Sequence, residues 1–189
     1  MRGMPGRMGA LAILAALALG AQAADPPPAF TLTSGAFAAG GRLPLAQVYS
    51  GFGCQGGNLS PALSWSHAPA GTKSYALLVH DPDAPTGSGW WHWVVYNIPA
   101  TTASLPQGAG DARRGLLPPG ALQGRTDFGA QGYGGPCPPP GPPHHYNFRL
   151  YALKVEKLDL PADATAAFIA FNVRAQALAS AELTGLYGR

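Results

Sequence analysis

Three apolar runs in this chain repeat with a period of two residues, and that repeat restricts the fold more than any other feature. In Ser74 to Asp81, the residues Tyr75, Leu77 and Val79 share one side and Asp81 finishes the row. In Trp91 to Ile98 the shared side is His92, Val94, Tyr96 and Ile98; in Tyr146 to Val155 it is Tyr146, Phe148, Leu150 and Ala152. A period of two collects such sets on one side of a pleated sheet, whereas a helix would scatter them around its axis. Shorter runs at Phe30 to Phe37, Leu43 to Tyr49 and Leu63 to Ser66 read as further strands. The chain carries 26 Gly and 20 Pro, yet 47% of its residues are hydrophobic, so these breakers mark structured loops and not disorder. The expectation is a mainly β protein with long Gly/Pro-rich loops. One helix is predicted from Ala164 to about Gln176, with Asp163 as its N-cap and Phe168 and Phe171 on its inner face. Leu178 to Tyr187 fits either a continuation of that helix or a strand.

The first residues read as an export signal. Arg2 and Arg7 precede the apolar run Ala10 to Leu19, and Ala21-Gln22-Ala23 has the small-x-small pattern that signal peptidase reads. The run is shorter than the roughly 20 residues a membrane-spanning helix needs. The expected organisation is a signal peptide over residues 1–23, a Pro-rich lead-in over 24–29 and a single domain over 30–189, periplasmic or secreted, with no transmembrane segment after cleavage. The whole chain has 12 Lys+Arg against 9 Asp+Glu, and losing Arg2 and Arg7 leaves it close to neutral. Such a charge leaves no basic footprint for nucleic acid. Cys54 and Cys137, in an oxidising compartment, are read as a disulfide; two free thiols in one pocket wall are the competing case.

Two stiff loops carry the chemistry. Asp81-Pro82-Asp83-Ala84-Pro85 ends a strand in a proline-locked acidic turn, and Gly87-Ser88-Gly89 leads on to Trp90, Trp91 and His92. The long segment Thr101 to Pro143 closes on Gly134-Gly135-Pro136-Cys137-Pro138-Pro139-Pro140, and then on His144-His145-Tyr146. His144 and Tyr146, two residues apart, share a side, and a histidine and a phenol at the mouth of an apolar wall suit the fixing of a small polar ligand. His67 and His80 are read as structural. A calcium loop is disfavoured because Pro85 takes a ligand position. For zinc, Asp81, His92 and His144 supply ligand types without a zinc spacing, so no metal is expected. For a hydrolase, Ser60 and Ser88 are the candidate nucleophiles, and neither sits in a Gly-x-Ser-x-Gly elbow.

The Asp81–Pro85 turn, Trp91-His92, the Gly135–Pro139 run and His144-His145-Tyr146 together resemble the phosphatidylethanolamine-binding protein (PEBP) family, most closely its bacterial, Raf-kinase-inhibitor-like branch. Gly57 to Trp65 and Leu183 to Arg189 support the resemblance, which covers Phe30 to Arg189. It implies an antiparallel β-sandwich with one or two short helices, a terminal strand for Leu178 to Tyr187, and a pocket for a phosphate-like anion or a phosphoryl or lipid head group. Carried over by position, Asp81, His92, His144 and Tyr146 fall on the pocket's polar residues, and Asp83, Pro85, Cys137 and Pro139 on its rim and scaffold. It implies binding without a cofactor and without catalysis. His145 stands where the family commonly has arginine, so a titratable group replaces a fixed cation. An aspartate beside a bound anion repels it unless it pairs with a protonated histidine or is itself protonated, so anion binding should strengthen as pH falls toward the ordinary histidine value of about 6.5. The alternative function is a protein-interaction inhibitor, for example of a protease, working through the same pocket and rim. A kinase target does not fit a compartment without ATP signalling.

Overall fold

The computed structural model describes Met1 and residues 28–189, so the signal-peptide reading and most of the Pro-rich lead-in lie outside the described residues. The strands are β1 (Thr31–Ser34), β2 (Ser50–Gly51), β3 (Cys54–Gln55), β4 (Leu63–Ser66), β5 (Ser74–Asp81), β6 (Trp90–Pro99), β7 (Ser104–Leu105), β8 (Leu122–Gln123), β9 (His144–Leu153) and β10 (Ala177–Tyr187), with one helix, α1 (Ala166–Gln176). They form a five-stranded sheet in the order β10-β9-β5-β6-β8, a three-stranded sheet β1-β4-β7 and the small hairpin β2-β3, and every strand pairing is antiparallel. Among the described residues no helix is long and apolar enough to cross a membrane.

The large sheet is buried on both faces. Tyr75, Leu77, Val79, Phe148 and Leu150 pack against Leu32, Leu63, Trp65 and Leu105 of the three-stranded sheet, which makes the sandwich. On the opposite face Ala76, Leu78, Val94, Tyr96 and Leu153 pack against Ile169, Ala170 and Val173 of α1. Burial on both faces is why β5 is apolar at nearly every position while its inner row still alternates. The 11-residue β10 pairs along the whole of β9, so Leu178 to Tyr187 is strand, as the family resemblance implied.

Five expectations need correction. Leu43 to Tyr49 is no strand: a 3-10 turn occupies Leu45–Gln47, closed by bonds to the Pro44 and Leu45 carbonyls. The carbonyls of Leu45, Ala46 and Val48 accept from Gly57, Leu59 and Asn58 of the glycine-rich loop, so the partners that a sheet would offer are already replaced. The first strand is likewise shorter than Phe30 to Phe37. The helix cap is Thr165, whose hydroxyl accepts from the Phe168 amide at 3.3 Å, and not Asp163. Phe168 and Phe171 point to solvent, 48% and 71% exposed, because the helix lays its small Ala166 and Ala170, with Ile169 and Val173, against the sheet.

The fifth correction bears on the site. His92, Val94, Tyr96 and Ile98 do not share a face. Val79 pairs with Trp93 and His80 with Trp91, so His92 is an extra residue on β6, a β-bulge. A second irregularity between the Tyr75 and Leu77 pairings spans Asn97, at φ 58°. Val94 and Tyr96 therefore face the helix while Ile98 joins the sandwich core. Bulges bend a strand and re-aim a side chain; here the bulge sends His92 to the side of Tyr146, with the rings 5.0 Å apart, edge to face.

Candidate functional site

β5 delivers Asp81 to the end of the large sheet, where its side chain is almost fully buried. Pro82 then turns the chain, and Asp81 Oδ1 accepts from the backbone N–H groups of Asp83 (2.9 Å) and Ala84 (3.1 Å). These bonds anchor the carboxylate at the head of its own turn. Oδ2 accepts from Nδ1 of His144 at 2.8 Å. A carboxylate only accepts, so the proton of a neutral His144 is on Nδ1, leaving Nε2 as an acceptor that becomes a donor on protonation.

His92 is held differently. Its Nδ1 lies 2.6 Å from the Gly134 carbonyl, which makes Nδ1 the protonated nitrogen and Nε2 an acceptor. Burial pushes this imidazole down to about 4, more than the Gly134 carbonyl and the Asp81 charge pull it up, so His92 is neutral at pH 7. The Tyr146 hydroxyl is buried and has no hydrogen-bond partner among the described residues. Burial first, and then the charge of Asp81, push its ionisation upward, so it remains a neutral phenol able to donate.

These groups floor a cavity of about 170 Å³ whose walls are mostly apolar. Ala84, Pro85 and Thr86 line it from the turn after β5, with Trp90 and Phe128 beside them, Phe52 from the β2-β3 hairpin, and Cys137, Pro138 and Pro139 from the proline loop. A disulfide joins Cys54 to Cys137 and ties the β2-β3 hairpin to the proline loop. Gly135 makes that loop possible, since a Cβ there would run into the Gln47 carbonyl. Its amide is fixed by Asn58 Oδ1 at 2.8 Å.

Asp81, Pro85, His92, Cys137, Pro139, His144 and Tyr146 thus meet in one cavity. Asp83 stands outside the lining: its exposed carboxylate accepts from the backbone N–H of His145 (2.7 Å) and from His145 Nδ1 (2.8 Å). Neither serine raised as a nucleophile lines the cavity; Ser60 Oγ accepts from the Gly110 amide, and Ser88 offers its carbonyl to His80. Among the described residues no three His, Cys, Asp or Glu side chains converge as a metal site. Sequence reasoning missed Phe52 and Phe128. The first sits on a two-pair hairpin and the second inside the 43-residue segment Thr101 to Pro143, and no periodicity acts in either place.

The polar inventory decides what can bind. Among the described residues no Lys or Arg lines the cavity, and Asp81 is its one carboxylate. With both histidines neutral, the floor presents one donor, the Tyr146 hydroxyl, against the acceptors of Asp81, His92 and His144. Protonation of His144 changes both charge and polarity: it neutralises Asp81 and turns Nε2 into a donor.

The sequence and the fold were compared with known proteins. The family model for phosphatidylethanolamine-binding protein matches residues 33–188. The UPF0098 protein YbcL of Escherichia coli K12 is 51% identical over 176 residues, covering 93% of this chain and 94% of YbcL. The crystal structure of Escherichia coli YbcL, described as a new member of the mammalian PEBP family, superposes with a TM-score of 0.83 at 52% identity, over 85% of this chain and 98% of that one. The putative PEBP homologue CT736 of Chlamydia trachomatis follows with a TM-score of 0.71 at 36% identity, over 85% of this chain and 98% of its own. The putative lipoprotein LppC of Mycobacterium tuberculosis H37Rv is 39% identical over 168 residues, covering 88% of this chain and 75% of LppC.

Proposed function

The chain belongs to the phosphatidylethanolamine-binding protein family, and on that premise we propose that it is an exported binding protein holding a small phosphate-like anion or phosphoryl head group over Asp81, His92, His144 and Tyr146. The observation that carries this reading is the His144–Asp81 bond. An anion placed beside an unpaired buried carboxylate would be repelled. An imidazolium at His144 removes that repulsion, because Nδ1 stays on Asp81 while the Nε2 proton meets the anion. The unpartnered Tyr146 hydroxyl supplies the second donor, and a charged acceptor makes both bonds strong. Anion uptake is therefore coupled to one proton.

The role proposed is binding without turnover: among the described residues the candidate nucleophiles Ser60 and Ser88 lie outside the cavity, and Cys137 is held in the disulfide. Export is supported by the signal-like first residues, by the disulfide and by a relative named as a lipoprotein. A second reading, an interaction inhibitor gripping a partner's terminus or side chain, is favoured by Phe52, which stands 65% exposed beside the cavity.

Calorimetric titration with phosphate, phosphoethanolamine and acetate at pH 5.5 and 8 tests the head-group reading. The expected result is tighter binding at pH 5.5, with proton uptake, and loss of binding in His144→Ala. Equal affinity at the two pH values would remove histidine charge from the account. No binding at either pH would sink the head-group reading and leave the protein partner.

A further inference from the structure

The wall formed by Pro138 and Pro139 belongs to a loop that has little means of holding itself. Between Gly134 and Pro143 it contains Pro136, Pro138, Pro139, Pro140, Pro142 and Pro143, none of which has an N–H to donate. A proline-rich loop is stiff within itself, but its position must be set by donors reaching in from elsewhere and accepted by its carbonyls. The structure shows few. The Tyr49 amide donates to the Pro136 carbonyl at 3.1 Å, and Gly134 and Gly135 bind His92 and Asn58 at the near end of the loop. Beyond Cys137, nearer the cavity mouth, the hydrogen bonds among the described residues come from one residue. Arg189 donates from Nε to the Pro138 carbonyl at 2.6 Å, and its own backbone carbonyl accepts from the Gly141 amide at 3.3 Å.

Arg189 also reaches the other wall. Its guanidinium lies so close to Gly53 that a Cβ there would stand 3.3 Å from Nη1. Gly53 neighbours Phe52 at the tip of the β2-β3 hairpin, and the next residue is Cys54, the disulfide partner of Cys137. Arg189 thus spans the same gap as the disulfide, between the hairpin that carries Phe52 and the loop that carries Pro138 and Pro139. The register of β10 puts it there. Tyr187 pairs with His144, so residues 188 and 189 run on beneath the proline loop, with Gly188 packed against Pro143. Arg42 donates to the Gly188 carbonyl at 3.1 Å and holds that approach.

We infer that Arg189 is a positioning residue for the ligand cavity: together with the Cys54–Cys137 disulfide it forms a paired brace that holds the two walls of the mouth at a fixed separation. The inference rests on the binding reading above. A guanidinium bonded to a carbonyl is charge-assisted and directional, whereas the disulfide restrains the distance at Cys137 and does not itself hold the Pro138 carbonyl. Each brace covers a freedom that the other leaves open. A preorganised wall binds more tightly because less order is lost on binding.

The test is calorimetric titration of inorganic phosphate at pH 5.5 into the parent protein, Arg189→Ala and Arg189→Lys. Each is measured oxidised and after reduction by dithiothreitol, which opens the disulfide to two thiols while closing to its own cyclic disulfide. For Arg189→Ala with the disulfide intact, phosphate affinity should fall about fivefold, with a similar fall in the reduced parent. The two losses together should exceed their product, since the reduced variant keeps neither brace. Arg189→Lys, which can still donate, should recover most of the affinity. Amide exchange supplies a readout that needs no ligand. The Gly141 amide bonds to the Arg189 backbone carbonyl, which the substitution retains, so roughly tenfold faster exchange in Arg189→Ala would report a loosened loop.

Parent-like affinity and parent-like Gly141 exchange in Arg189→Ala, oxidised and reduced, would overturn the inference. Phosphate binding absent from the parent would instead sink the head-group reading, and Gly141 exchange would then decide the brace alone: faster supports it, unchanged overturns it.

Discussion

Two aspartate–histidine pairs lie side by side in this protein, made of the same residue types at the same distance, and their burial sets them apart. Asp81 meets His144 at 2.8 Å with side chains 4% and 14% exposed; Asp83 meets His145 at 2.8 Å with side chains 41% and 55% exposed. The turn at Pro82 separates the two aspartates, and the alternation of β9 sends His144 into the cavity and His145 out of it. For the inner pair the carboxylate has no water to return to, so its three accepted hydrogen bonds hold both the turn and the imidazole. For the outer pair water competes with every contact. Distance alone would rank the pairs as equal, and the dielectric surroundings separate them.

The largest effect should come from Asp81→Ala, which strands His144 Nδ1 and two turn amides in a buried site. The expected loss is about 3–5 kcal/mol of unfolding free energy in a denaturant titration. A loss below about 1 kcal/mol, the value for an exposed pair, would break the contrast.

Next comes the pH dependence of stability set by His92, the buried neighbour of the inner pair. Its folded value is about 4 against 6.5 when unperturbed, so between those values the unfolded chain binds the proton that the folded one refuses. Stability should therefore be fully present above pH 6.5, fall as pH drops, and level off near pH 4, by an amount on the order of 2–3 kcal/mol. Denaturation midpoints for the parent and His92→Gln across pH 4–7 measure this, and the substitution should flatten that part of the profile.

Tyr146→Phe sharpens the contrast from the ligand's side. Because the hydroxyl has no hydrogen-bond partner among the described residues, its removal should leave stability unchanged or raise it by up to about 1 kcal/mol. Phosphate affinity should nevertheless weaken about tenfold, the loss of one hydrogen bond to a charged group. Parallel thermal melts and titrations separate the two effects, and a variant that keeps full affinity would remove the hydroxyl from the binding account.

The smallest effect belongs to the outer pair. The backbone N–H of His145 holds the Asp83 carboxyl below its ordinary value, with the His145 side chain adding to that. A lowered carboxyl contributes stability above its unfolded value, near 3.9, and loses it as pH falls through the folded one. For so exposed a group Asp83→Asn should cost under about 1 kcal/mol at pH 7, and the cost should shrink as pH falls below the unfolded value, which unfolding titrations across that range check.

Much of the site was legible in the sequence because its polar residues sit at strand ends, where a period of two states which side chains share a side. Asp81 finishes the row of Tyr75, Leu77 and Val79, and Tyr146 heads the row of Phe148 and Leu150. His92 was assigned to the cavity by family resemblance while its row was misread, since a bulge is an interruption that periodicity cannot announce. Phe168 and Phe171 were misplaced for a related reason: large apolar residues are read as inward, but α1 packs close to the sheet through alanines and leaves the rings outside.

The sequence by itself determined the three long strands β5, β6 and β9, the side on which the inner rows of β5 and β9 lie, and the two proline-stiffened loops that lead out of β5 and into β9. Those properties are local, set by alternation and by the fixed φ and missing N–H of proline. Only the tertiary structure decided which of two matching Asp–His pairs is buried, that Phe52 and Phe128 wall the cavity, and that Arg189 reaches the proline loop. Each of these joins residues dozens of positions apart, and burial, which sets the strength of a charge or a hydrogen bond, belongs to the packed whole and to no segment of the chain.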